Sequence, residues 1–229
     1  MRIHHAGPDD GADAGDAVVV IDVIRAFTTA AFAFAAQARE IVLVATVEEA
    51  FGLRAKTPGV LLMGEVDGFA PPGFDFGNSP ADLRGVDLRD RVLVQRTGAG
   101  TRAAVRCARA AHLLLGSFAC AAATVRHLRR LAPARVTLLA SGAEGEDVAC
   151  ARHLEALLRD APPDPAWLAQ ARAAGLARLS EPGIETTTTV AQRDAFRADI
   201  DCCVALDAFD FAIEARWRDG LLVARRVPG

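Results

Sequence analysis

The sequence predicts an α/β protein, a three-layer α/β/α sandwich around a largely parallel or mixed sheet. Three observations carry that prediction. Short apolar runs of strand length recur along the 229 residues, and stretches with helical spacing separate them. Several of those runs end abruptly in Asp, Arg, Thr or Ser just before a helix. Ligands of such folds gather at the carboxyl ends of strands, so a site is expected at those endings.

The strand-like runs are residues 17–21, 41–44, 60–63, 91–94, 112–115 and 136–140. The Ala-, Leu- and Arg-rich stretches between them, 26–39, 47–56, 101–109, 119–131 and 146–159, read as amphipathic helices. Two segments break the rhythm. Residues 64–80, "GEVDGFAPPGFDFGNSP", form a Gly- and Pro-rich loop too long for a simple turn, which suggests a lid or wall. Residues 160–188 suggest a helical excursion over the sheet, after which "ETTTTV" caps a further helix. The tail, from "DIDCCVALDAFDFAIEARW" to "DGLLVARRVPG", reads as β-structure. One domain over residues 1–229 is expected, with two lobes at about 1–90 and 91–229 as the alternative.

Composition narrows the function class. Hydrophobic residues make up 52% and charged residues 24%, as in ordinary soluble proteins. No apolar run approaches the length of a membrane span. The acidic, Gly-rich start, in which His4 and His5 are expected to be mobile, does not read as a secretory signal. Five scattered Cys fit reduced thiols, and the expected location is the cytoplasm. A net charge of -3 with pI ≈ 6.0 argues against bulk nucleic-acid binding. Self-association into a homo-oligomer is a further expectation. Lys56 is the sole lysine, so any mechanism with a catalytic lysine must use it.

The chemistry is concentrated at strand ends. In "VVVIDVIRAFTTAAFAF", Asp22 ends a strand, and Arg25, Thr28 and Thr29 open the next helix, whose N-terminus favours an anion. Asp22 either caps that helix or belongs to a site. In "RVLVQRTGAGTRAA", Arg96, Thr97, Thr101 and Arg102 surround two glycines, an arrangement suited to phosphate or sulfonate oxygens. Ser117 opens another helix, and Glu144, Glu146 and Asp147 follow the strand at 136–140. The long loop adds Glu65, Asp67, Asp75, Asn78 and Ser79, with aromatic anchors around Asp75. Carboxylates beside phosphate-type donors suggest a hard divalent cation, Mg2+, bridging protein and substrate. No histidines have zinc-ligand spacing. Cys107, Cys120 and Cys150 fall in apolar helical contexts, where inert thiols are the default.

Taken in order, "VVVIDVIRAFTTAAFAF", "GFDFGNSP", "RTGAGTRA", "GSFACA" and "GEDVACA" resemble the 2-phosphosulfolactate phosphatase family of coenzyme M biosynthesis. The resemblance runs from about residue 16 to 159. It departs where family members often carry Asn-Gly-Thr, here Ala99-Gly100-Thr101, and often Asn, here Cys120. The resemblance implies magnesium-dependent hydrolysis of a phosphate monoester on a small sulfonated or carboxylated hydroxy acid, 2-phosphosulfolactate giving sulfolactate and phosphate. It also implies site roles for Asp22, Arg25, Thr28, Thr29, Asn78, Thr97, Thr101, Ser117 and the Glu146–Asp147 pair.

The expected mechanism places magnesium on carboxylates drawn from Asp22, Glu65 and Asp147. Asp22, Arg25 and Asp147 form the expected catalytic set. Arg25, Arg96 and Arg102 hold phosphate and the substrate's second acid group, and Thr28, Thr29, Asn78, Thr97, Thr101 and Ser117 add neutral contacts. Attack by water and attack by Asp22 both remain open. Haloacid-dehalogenase-type phosphatases need a second Asp where this chain has Ile24, and an isochorismatase-like triad would need the distant Lys56. The alternative outside enzymes is a sensor or carrier of a small anionic metabolite.

Overall fold

The computed structural model describes residues 1–8, 10, 17–143, 145–181 and 188–229. Sixteen named elements position the site. They are β1 (Arg2–Ala6), β2 (Ala17–Ile21), α1 (Ala26–Ala35), β3 (Glu40–Val44), α2 (Val47–Lys56) and β4 (Leu61–Gly64), then β5 (Val92–Arg96), α3 (Gly100–Arg106) and β6 (His112–Gly116). After these come α4 (Ala121–Leu131), β7 (Arg135–Ala140), α5 (Glu146–Leu158), α6 (Ala166–Arg178), α7 (Val190–Cys203), β8 (Phe211–Arg218) and β9 (Leu221–Pro228).

The expected three-layer α/β arrangement is present, around one mixed nine-stranded sheet of order β1-β7-β2-β6-β8-β9-β3-β5-β4. β2 is buried at all five positions because both its faces are covered, which is why it reads as an unbroken apolar run. Val18 and Val20 face one way, against α1 and α3 with Phe27, Phe34 and Ala104. Val19 and Ile21 face the other way, against α4, α5, α6 and α7. A third cluster, around Val42, Leu62 and Val94, lies under Ala50 of α2.

Two expectations are corrected. The N-terminal residues form β1, whose His4 and His5 pair in register with Thr137 and Leu138 of β7. The "DIDCC" stretch is the end of α7, not a strand. A capping box between Thr189 and Gln192 starts that helix, and Asp199, Ile200 and Cys203 continue it on a buried face. The structure thus bears out the cap read in "ETTTTV" at Thr189, while residues 185–187 lie outside the described residues.

The sheet contains two parallel blocks, β1-β7-β2-β6 and β3-β5-β4. Between them lies the β8–β9 hairpin, which is antiparallel to β6 on one side and to β3 on the other. Three antiparallel pairings in a row make the two blocks run in opposite senses. Neighbouring strands rotate by about 20–25°, so the five steps from β2 to β5 add roughly 100–125° of twist. Strands that would oppose one another in a flat sheet therefore cross. The carboxyl ends of β2, β4 and β5 meet over α1 as a result.

Candidate active site

The rim where these ends meet encloses a cavity of about 460 Å3, with Asp22, Arg25, Glu65, Asn78, Arg178 and Asp199 among its walls. Asp22 follows the last residue of β2 and is 6% exposed. Its Oδ1 accepts the Ala26 N–H at 3.0 Å, so it does cap α1. Its Oδ2 accepts nothing among the described residues. The capping reading of Asp22 thus holds, through Oδ1.

Gly100 fits beside this carboxylate because it has no side chain. A Cβ there would lie 2.5 Å from Asp22 Oδ2 and 2.9 Å from Ala26 Cβ. Burial pushes the Asp22 carboxyl up to about 6, the Ala26 amide opposes this, and the charges of Glu146 and Glu65 add to the rise. Arg178 lowers it. This arginine comes from α6, donates to Ile24 O at 3.0 Å and pairs with buried Glu146.

Asp147 is placed differently. It is buried at the start of α5 and does not line the cavity. Its Oδ1 accepts Val23 N–H at 2.8 Å, and its Oδ2 accepts Ser141 Oγ and Gly142 N, both at 2.9 Å. It ties the turn after β2 to the turn after β7. Burial, reinforced by Asp22 and Glu146, raises its pKa well above the usual carboxylate range.

Glu65 directly follows β4. Its Oε1 accepts the Gly98 amide, and its Oε2 accepts Gly68 N–H at 2.8 Å. The turn after β5, which the sequence suggests for an anionic ligand, thus has an amide occupied by the protein's own carboxylate. Asn78, 7% exposed, lines the cavity with a buried Oδ1 that has no hydrogen-bond partner among the described residues. Asp67 and Ser79 line the cavity too. Asp75 does not; it binds Arg54 and the Leu62 amide beneath the loop.

Arg25 is held by Asp199 at 2.8 Å and by Gly68 O at 3.1 Å, and its guanidinium lies 5.0 Å from the Phe196 ring centroid. The other expected ligand groups are buried or point elsewhere. Thr28 Oγ1 donates to Val23 O at 2.8 Å and Thr29 Oγ1 to Arg25 O at 2.9 Å, within the first turns of α1. Thr97 and Thr101 bond each other across the turn into α3. Arg96 donates to the Glu65 carbonyl at 2.6 Å, bracing the β4–β5 exit. Arg102 is exposed on α3 and does not border the cavity. Ser117 is buried, with no partner for its hydroxyl among the described residues, and also lies outside the cavity wall. Glu144 lies outside the described residues.

Sequence reasoning missed Arg178, Phe196 and Asp199, all from the last third of the chain. One signal was available for Asp199. It shares a helix face with Phe196, Ile200 and Cys203, spaced three, four and seven residues apart, so an acid sits among core positions.

Fold and site together define an α/β protein with an acidic, arginine-bearing cavity at crossed strand ends, the kind of place where a small oxyanion is bound. The model of the 2-phosphosulpholactate phosphatase family matches residues 5–216, and the chain belongs to that family. Among its relatives is a probable 2-phosphosulfolactate phosphatase of Carboxydothermus hydrogenoformans, 35% identical over 90% of this chain and 89% of that protein. Those of Bacillus subtilis and Thermus thermophilus, named in the same words, are 39% and 44% identical over 62% and 57% of this chain. In these two the match spans only 64% and 54% of the relative's own length. No helix among the described residues is long and apolar enough to cross a membrane.

Proposed function

We propose that this protein hydrolyses a phosphate monoester on a small sulfonated or carboxylated hydroxy acid, 2-phosphosulfolactate to sulfolactate and phosphate, with magnesium, as an enzyme of the cytoplasm. The observation that supports this best is Asp22: a buried carboxylate with one oxygen unpartnered among the described residues, facing a cavity that also holds Arg25 and Arg178, in a chain of this family. Above about pH 6 Asp22 is ionised. Its Oδ2 then accepts a proton from the attacking water as the water oxygen bonds to phosphorus and the ester P–O bond breaks. The leaving alkoxide takes its proton from solvent. Arg25 and Arg178 hold the oxyanions of phosphate and of the substrate's second acid group.

The donor set fits a hard cation. Asn78 Oδ1 has no partner among the described residues, and each Glu65 oxygen has a second lone pair beyond the amide it accepts. Glu65 would hold magnesium, with Asn78 beside it and Asp22 Oδ2 left to take the water's proton, and the ion would supply charge neutralisation for the phosphoryl oxygens. Asp147, with three donors on its two oxygens, instead positions the turn that carries Asp22. No cluster of three or more His, Cys, Asp or Glu side chains suited to a metal occurs among the described residues. Magnesium commonly needs only one or two protein carboxylates.

The test is phosphate release from a panel of phosphorylated hydroxy acids, phosphosulfolactate included, with magnesium and with chelator. Release that stops in chelator is the expected result. Binding of panel members without release from any would replace this reading with that of a metabolite carrier.

A further inference from the structure

Asp199 is 1% exposed, and a carboxylate that deep in a helix needs a reason. Its partners supply one. Oδ1 accepts Ser79 Oγ at 2.6 Å and Ala81 N–H at 3.1 Å. Oδ2 accepts Arg25 Nη1 at 2.8 Å. The three partners belong to two segments far apart in sequence, the turn between β2 and α1 and the Asn78–Ser79 end of the long loop. Both segments line the cavity.

Phe196 lies one helical turn before Asp199 and meets the face of the same guanidinium. α7 therefore grips Arg25 from two directions, by its edge through Asp199 and by its face through Phe196. Gly68 O takes a third contact at Nη2. A guanidinium fixed in plane and edge keeps Nε–H and the second hydrogen of each terminal nitrogen without a partner among the described residues. A planar fork held in this way is suited to bidentate binding of a phosphate or sulfonate oxygen pair.

We infer that Asp199 is a positioning residue for the proposed reaction: with Phe196 it fixes the guanidinium of Arg25 as an oxyanion clamp. The inference rests on the phosphatase reading of the cavity. It assigns α7, in a part of the chain whose sequence points only to helix and strand, a part in substrate binding that acts through Arg25.

The test uses Asp199→Asn in the full chain. The substitution keeps an acceptor for Ser79 and Ala81 but turns an amide N–H2 toward the Arg25 N–H groups, which releases the clamp. Two readouts are taken: KM and kcat for the phosphate ester, and calorimetric affinity for inorganic phosphate. Loss of a charge-assisted hydrogen bond predicts a rise of about 10- to 100-fold in KM and in the phosphate Kd. In an Arg25→Ala background the same substitution should change either by less than about twofold. Phe196→Leu, which leaves all of Asp199's hydrogen bonds in place, should show the same non-additivity and covers the case in which Asp199→Asn fails to fold. Equal factors in both backgrounds would mean that α7 acts only through the fold, and would overturn the inference while leaving the phosphatase reading intact. A wild type that neither releases phosphate nor binds it overturns the phosphatase reading, and the clamp with it.

Discussion

Asp22→Asn is expected to abolish phosphate release and, at the same time, to stabilise the fold above pH 6. The two effects share one cause. Burial and the nearby Glu146 and Glu65 raise the Asp22 pKa from 3.8 to about 6, so the folded state favours the protonated carboxyl. A raised carboxyl pKa contributes stability that is present below the unfolded value and lost as pH rises through the folded one. The interval from 3.8 to about 6 corresponds to about 3 kcal/mol at pH 8.

A neutral asparagine keeps an acceptor for the Ala26 amide and removes the buried charge. The variant should therefore melt about 5–10 °C above wild type at pH 8 in chelator. That gap should close as pH falls toward 4, where wild type is itself protonated. Thermal melts at four or five pH values measure it directly. A gap that is absent, or the same at every pH, would show that Asp22 carries no such strain.

Gly64→Ala is the second large effect, and it acts through stability. Gly64 ends β4 at φ +139°, opposite Arg96 in the parallel β4–β5 pair. A Cβ at this position would lie 1.8 Å from the Arg96 carbonyl oxygen, which is backbone and has no rotamer to change. That same oxygen accepts the Glu65 amide at 2.9 Å. Relief of the clash must part the two strands and carry Glu65 away from the cavity. Steric overlap and backbone strain together should cost about 4 kcal/mol or more, enough to leave much of the chain unfolded or to lower its melting point by roughly 10 °C. Gly59→Ala is the control. Gly59 also has positive φ, at +88°, but nothing within 4 Å of an added Cβ. It should cost about 1 kcal/mol. Similar melting points for the two variants would show that β4 and β5 can separate freely.

Much of the candidate site was legible in the sequence. Asp22, Arg25, Glu65 and Asn78 were singled out from strand-end and loop positions, and all four border one cavity. The threonines show the limit of that logic. Ser and Thr in a helix's first turns have backbone acceptors within reach, so Thr28, Thr29 and Thr101 turn to carbonyls of their own segment. Their residue type suggested a ligand, but local geometry gave them nearer partners. Arg96 and Arg102 were legible as cations at a strand exit, yet the direction of each side chain depends on neighbours that only the packed chain supplies. Asp199 lies more than 150 residues from Arg25, and Arg178 as far from Ile24, so no local pattern links them.

The sequence alone determined the order of strands and helices from β2 to α5 and the polar residues at their ends, because hydrophobic periodicity and capping are local properties of the chain. It also carried family membership through motifs spread along its length. Tertiary structure decided which strand ends meet. The β8–β9 hairpin sits between two parallel blocks and reverses their relative sense, and accumulated twist turns both sets of carboxyl ends toward α1. Those are consequences of long-range pairing and sheet geometry. The same pairing brings α6 and α7 over the cavity, where they complete a site that the first two-thirds of the chain only begins.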